Sequence, residues 1–232
     1  MILDQRPKEL RKQFVSDYKA ITGVDLSGVN LKHLHDLRNQ WYRDFDVSVY
    51  AHQHYAQELW DCWHYYSRPY LKEVLKSEIF KEIAGCKSIL DVGCGMGYTT
   101  LALKQIFPSA TVYGTNVPDT DQFKFAEKVN KNIVPDIRCV PCGIDLLVAF
   151  EYFEHFQYPM DHVGEMIFLH NPKYMLIANS FNTVSIGHYE KYGQYDQTKI
   201  SRKFNDFLRS KGYKKAKTSL WNNKPAFWKR DA

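Results

Sequence analysis

The 232-residue sequence has no apolar run approaching the about 18 residues that span a bilayer, which excludes a membrane-crossing helix of ordinary length and, with it, a membrane partner of that kind. A secretory leader is not apparent either: Met1-Ile2-Leu3-Asp4-Gln5-Arg6-Pro7 turns charged too soon, so a cytoplasmic setting is expected. Internal repeats and low-complexity tracts are missing. Cysteines number five, an odd count at scattered positions, which argues for reduced thiols rather than a disulfide framework. Of these, Cys62, Cys86 and Cys94 read as small apolar residues. Excess charge of one sign is modest, at a formal +5. What is there, 44% hydrophobic and 25% charged residues, suits an ordinary globular chain long enough for one generous domain or for a domain with a helical extension.

Two local biases stand out. The C-terminal stretch gathers Lys199, Arg202, Lys203, Arg209, Lys211, Lys214, Lys215, Lys217, Lys224, Lys229 and Arg230 against only Asp206 and Asp231, a basic face that either attracts phosphate or is simply solvated surface. Aromatic residues make up 15% of the chain, and many fall between Trp41 and Tyr70, interleaved with His52, His54 and His64. Such rings either pack a helical core or form a lid that stacks on a flat or cationic substrate. His52 and His54, two apart, do not share a helix face, so a common metal site through a helix is not expected.

Hydrophobic periodicity predicts helices over residues 7–20, 30–44, 50–66 and 70–83, the third ended by Ser67-Arg68-Pro69. After Gly85 the pattern changes. Strands are predicted over residues 87–92, 111–114, 137–140, 144–150 and 174–178, with two more around 213–217 and 225–229; helices over 98–107, 119–130, 160–169 and 199–210 alternate with them. Alternation of this kind implies an α/β architecture with a doubly wound, mostly parallel sheet whose sites lie at the carboxyl ends of its strands. Residues 1–84 are read as a helical extension or substrate lid, and residues 85–232 as the α/β domain.

The first of these strands runs into Asp91-Val92-Gly93-Cys94-Gly95-Met96-Gly97, glycines placed where the backbone must turn sharply and approach a ligand without a Cβ in the way. The third glycine comes one residue too early for the dinucleotide pattern G-x-G-x-x-G. The run resembles motif I of class I S-adenosylmethionine-dependent methyltransferases, and Ile144-Asp145-Leu146-Leu147-Val148-Ala149-Phe150-Glu151-Tyr152-Phe153-Glu154-His155 is similar to the fourth-strand motif of their small-molecule, ubiquinone-biosynthesis-like group. Residues 171–180, 187–189 and 207–213 continue the likeness.

The resemblance implies a Rossmann-like seven-stranded sheet and S-adenosylmethionine as cofactor. It also implies that Gly93, Cys94, Gly95 and Gly97 line the methionine and ribose above Asp91, with Phe150 and Glu151 nearby. Asn116 stands where the family usually has an acid for the ribose hydroxyls; an amide has one oxygen acceptor and no charge, so Asn116→Asp is expected to strengthen the contact. The usual acid after the third strand has no counterpart in Arg138-Cys139-Val140-Pro141-Cys142-Gly143, which leaves Val117, Pro118 or Val140 to support adenine and Asp119 or Asp121 to replace the acid.

Methyl transfer is a direct displacement, in which position matters most and a base is needed only where the acceptor carries a proton. His155 is the candidate base, with Glu151 and Glu154 to orient it or to bind a substrate cation, and His188 could close the site. A brace for the sheet edge is the competing reading of Glu154-His155. Cys139-x-x-Cys142 lacks further zinc ligands or a helix start and is expected to pack in the sheet. The favoured function is methyl transfer to a small molecule or metabolite. A nucleic-acid methyltransferase or modification enzyme and an inactive methyltransferase-like binding or scaffold protein are the alternatives, and nothing in the sequence speaks to oligomeric state.

Overall fold

The computed structural model describes residues 1–230, the side chain of Asn223 excepted. Helices α1 (Pro7–Thr22) and α2 (Leu31–Asp44) follow sequence logic closely. Pro7 occupies the first turn, where no backbone donor is needed, Gly23 ends α1 in the left-handed region, and Asn30 caps α2 by accepting from the amides of Lys32 and His33.

The next two expected helices are divided differently. Residues 50–66 contain the end of a 3₁₀ turn (Val47–Ala51), a short loop, α3 (Tyr55–Cys62) and the beginning of a π turn (Trp63–Ser67), which runs directly into α4 (Arg68–Lys76). Pro69 therefore does not stop the chain. The wider π turn ahead of it accommodates a ring that has no N–H and that would collide with a carbonyl one ordinary turn back. The break comes instead at the extended Ser77, after which α5 (Glu78–Ile83) begins.

Among the described residues, seven strands form one sheet in the order β3-β2-β1-β4-β5-β9-β8. These are β1 (Ser88–Asp91), β2 (Thr111–Thr115), β3 (Ile133–Val134), β4 (Leu146–Phe150), β5 (Tyr174–Ala178), β8 (Tyr213–Lys215) and β9 (Ala226–Arg230). The first five run parallel, and β9 is antiparallel to both its neighbours. This is the Rossmann-like, doubly wound fold that the alternation implied. A small hairpin of β6 (Lys191–Tyr192) and β7 (Tyr195–Asp196) carries no predictive pattern at two residues per strand.

The third strand is a correction: residues 137–139 form a 3₁₀ turn, and the strand lies earlier, at Ile133–Val134. Asp136 dictates this by accepting from the Arg138 amide at 2.8 Å, an Asx-type turn that ends extended structure. Cys139 and Cys142 consequently sit in a connecting segment and are exposed, contrary to the expected burial in the sheet.

Side chains alternate between two cores. Ile89, Leu146, Val148 and Phe150 face one side, packing with α6 (Tyr98–Ile106), α7 (Asp121–Val129) and Leu10, Phe14 and Tyr18 of α1. Leu90, Leu147 and Ala149 face the other, toward α8 (Pro159–His170) and α9 (Gln197–Ser210). The N-terminal helices thus share a core with the sheet. Strand order reverses at β1, flanked by β2 and β4, and the crevice opens at their carboxyl ends.

Candidate functional site

A cavity of about 910 Å³ opens at that reversal. The glycine loop forms its floor. Gly93, Gly95 and Gly97 all have positive φ, and the loop is tied to β2 by the Cys94 amide donating to Thr115 O at 2.9 Å. A Cβ on Gly93 would collide with the Tyr152 ring, and one on Gly97 would lie 3.2 Å from Ala126 Cα. Cys94 contributes backbone only, since its thiol turns inward and burial holds it protonated. Asp91, 2% exposed, accepts from Thr100 Oγ1 at 2.7 Å and, among the described residues, is in no ion pair; burial pushes its pKa up to about 7.

At the end of β2, Asn116 reaches the cavity wall, but its amide is already engaged. Nδ2 donates to Gly95 O at 2.7 Å, and Oδ1 accepts from the Val117 amide at 2.8 Å. Asn116 therefore pins the glycine loop. An aspartate would set a carboxylate against the Gly95 carbonyl, so Asn116→Asp is expected to lower affinity for the ligand of this loop about tenfold, reversing the expectation from sequence. Titration calorimetry with S-adenosylhomocysteine reads the change, and a tighter complex would refute the bracing role.

Val117 and Pro118 line the same end, whereas Val140 is buried away from it in the sheet core. The relocated third strand places Asp136 on the wall, two residues after its end, alongside Ile137 and Arg138. An acid after the third strand is thus present, where the sequence reading found none. Asp136 pairs with Arg138 at 3.3 Å, and Arg138 also pairs with Glu165.

At the end of β4, Phe150 faces the cavity and Glu151 adopts φ 49°, a left-handed conformation that a non-glycine residue holds only under constraint. Glu151 accepts from Tyr70 Oη at 3.1 Å. Glu154 lies behind it, fully buried, accepting from the Ser180 amide at 2.8 Å; burial and the adjacent Glu151 hold it protonated. His155 lines the cavity with Nδ1 3.2 Å from Tyr50 Oη, and desolvation pushes it down to about 3, so the imidazole is neutral at physiological pH. The His188 ring stands edge-on to it at 4.9 Å.

The N-terminal helices cover this end. Trp41 Nε1 donates to His188 O at 2.7 Å, Ser185 Oγ donates to Glu58 at 3.0 Å, and Leu59 packs over Gly95. The aromatic cluster is divided: Trp41, Tyr55, Trp60 and Trp63 are buried, whereas Tyr65 and Tyr66 stay exposed at the cavity mouth. His64 stacks on Trp60, apart from the surface group of His33, His52 and His54. Sequence reasoning missed Glu58, Asp61, Tyr70, Asp136 and Tyr152. Only Asp136 had a local signal, in Pro135-Asp136 after a short β-branched pair.

A doubly wound sheet with a glycine-rich first loop and a covered cavity at its reversal defines the class I methyltransferase fold. The methyltransferase-domain family matches residues 52–207, and the chain belongs to that family. Comparison with curated proteins returned no match. Among solved structures, an O-methyltransferase family protein from Burkholderia thailandensis aligns at TM-score 0.55 and 13% identity, over 97% of this chain and 72% of that one. The plantazolicin methyltransferase BpumL, solved with a pentazolic desmethylPZN analog and S-adenosylhomocysteine, aligns at TM-score 0.50 and 15% identity over 79% and 80%. The S-adenosylhomocysteine-bound N-terminal domain of EvdMO1 aligns over 47% of this chain at TM-score 0.37 and 14% identity, and the chain spans 48% of its length. Among the described residues, no helix is long and apolar enough to cross a membrane.

Proposed function

We propose that the protein transfers a methyl group from S-adenosylmethionine to a small molecule held beneath the N-terminal helices. The observation that carries this reading is the single continuous cavity, with the glycine cradle at one end and the Glu151 region under the lid at the other. Its volume suits a cofactor and a small acceptor together. The floor fits the cofactor, because the glycine loop brings backbone to the cavity wall at Gly93 and Gly95 and Asp91 offers a buried carboxylate that, among the described residues, has no cation of its own.

In this reading Asp91 meets the methionine ammonium, the backbone of Gly93, Cys94, Gly95 and Gly97 follows methionine and ribose, and Asp136 and Val117 flank adenine. The cofactor supplies a methyl group on a sulfonium, whose C–S bond breaks as the bond to the acceptor forms, the electron pair staying on sulfur. The chain's task is to hold the acceptor in line and keep water out. With its pKa near 3 the His155 imidazole is a weak base and braces the site together with Tyr70 and Tyr50, while the Glu151 carboxylate, on the cavity wall, takes the acceptor's proton where it carries one.

The acidic cavity wall opposes a phosphate backbone at this site, and Asp136 removes one reason to think the protein inert. The likeness to the ubiquinone-biosynthesis-like group rests on the sequence of residues 144–155, 187–189 and 207–213. Titration calorimetry tests the reading: saturable heat is expected with both S-adenosylmethionine and S-adenosylhomocysteine at concentrations below about 1 mM, and no heat at that level overturns it.

A further inference from the structure

The protein carries a net charge of +5, yet its cavity has the opposite character. Six carboxylates line the wall, in Glu58, Asp61, Asp91, Asp136, Glu151 and Glu165, and among the described residues Arg138 is the one lysine or arginine that does. Arg138 is spent on Asp136 and Glu165 at the adenine end. With Asp91 assigned to the cofactor ammonium, Glu58, Asp61 and Glu151 remain on the lid side.

Among the described residues, none of these three is in an ion pair. Glu58 has Ser185 as its bonding partner and Asp61 has Gln57, at 3.0 Å each; Arg38 and Arg11 are the guanidiniums whose fields reach them. Arg11 is itself engaged, bonded to Gln57 and lying over the Phe14 and Trp60 rings. Glu58, Asp61 and Cys62 of α3 and Glu151 at the end of β4 line one volume. Carboxylates taken from water with hydrogen bonds but no counter-charge are costly, and a cation entering that volume would relieve them.

A second observation points to the same space. Trp63 is 4% exposed and lies on the cavity wall, its ring packed beside that of Tyr98. Tyr65 and Tyr66 stand exposed at the mouth next to it.

We propose that the methyl acceptor is a protonated amine on a flat apolar body, held by Glu58, Asp61 and Glu151 with its body against the rings of Tyr65 and Tyr66. The assignment rests on the cofactor reading above and names the acceptor class for that site. Before attack, the ammonium N–H bond breaks and its proton passes to the Glu151 carboxylate. The nitrogen keeps the freed electron pair, the carboxylate becomes a neutral carboxyl, and the total charge is unchanged.

Binding of three matched probes tests this without turnover: 2-phenylethylamine, 2-phenylethanol and 3-phenylpropanoate, each titrated into the protein alone and saturated with S-adenosylhomocysteine. The amine is expected to bind about tenfold more tightly than the alcohol, with the carboxylate weakest, and Glu58→Gln is expected to reduce the amine preference about fivefold with S-adenosylhomocysteine affinity changed less than about twofold; Glu151→Gln is expected to reduce the amine preference by a similar factor. Circular dichroism verifies that the variants fold. Normal S-adenosylhomocysteine binding with no charge order among the probes, or with the alcohol or carboxylate tightest, overturns the amine assignment and leaves the cofactor reading standing. Failure of S-adenosylhomocysteine to bind sinks the cofactor reading, and the charge order is then read on the protein alone.

Discussion

Gly93→Ala is expected to weaken S-adenosylhomocysteine binding about a hundredfold and to lower the melting temperature by about 5 °C or more. Two separate costs combine. Gly93 holds φ at +64°, where a Cβ meets the following carbonyl at a cost of about 1–2 kcal/mol. The same Cβ runs into the Tyr152 ring, which cannot simply swing aside because its hydroxyl is bonded to His162 Nε2 at 2.9 Å and its ring packs on Phe153 and Phe156. Forcing an added methyl into such packing costs about 1–3 kcal/mol more. Whichever gives way, the loop or the ring, the cofactor floor moves.

A double variant separates the two contributions. Combining Gly93→Ala with Tyr152→Leu removes the collision but not the backbone strain, so stability is expected to recover in part, with a clear departure from additivity. Thermal unfolding and calorimetry read the two quantities independently. Wild-type affinity in the single variant would remove Gly93 from the cofactor floor.

Features carried by a few consecutive residues were legible in the sequence. Asp91 through Gly97 is one turn between one strand and one helix, so its glycine spacing contains its geometry, and the Asn30 cap and the Pro7 start are equally local. Asp136 was hidden because Ile133-Val134 is too short to show a period, while Ile137-Arg138-Cys139-Val140, with β-branched residues at both ends, imitates a strand. The Asx turn that decides the matter depends on one side chain rather than on hydropathy.

The contacts between the N-terminal helices and the site were illegible for a different reason. Glu58 meets Ser185, Tyr50 meets His155 and Tyr70 meets Glu151 across sequence separations of 127, 105 and 81 residues, and no local pattern encodes such pairs. Asn116 shows an intermediate case. Its position at the end of β2 was readable, but the direction of its amide toward Gly95 O depends on how the loop and strand pack.

Binding of S-adenosylhomocysteine at pH 7 is expected to release about half a proton, and its affinity is expected to fall about tenfold for each unit of pH below that point. Asp91 is the reason. Its carboxyl, raised by burial from the ordinary 3.8 to about 7, is half protonated in the free protein, and an ammonium seated against it restores the ionised form. Calorimetry in two buffers of different ionisation enthalpy counts the protons. The same shift fixes the sign of a stability effect: a carboxyl whose folded pKa lies above its unfolded value binds its proton more tightly when folded, so its contribution is full below pH 3.8 and is lost as pH rises through about 7. Across that window the loss for a group this buried is about 4 kcal/mol. Asp91→Asn, which cannot ionise, is therefore expected to unfold at a higher temperature than the unliganded wild type at pH 8 and to show a flatter pH dependence, while binding S-adenosylhomocysteine about a hundredfold more weakly. Greater stability with lost binding is the combination that marks a carboxylate kept for a ligand rather than for the fold. If Asp91→Asn instead binds normally and releases the same protons, the ammonium is held elsewhere, and Glu151 becomes the group to titrate next.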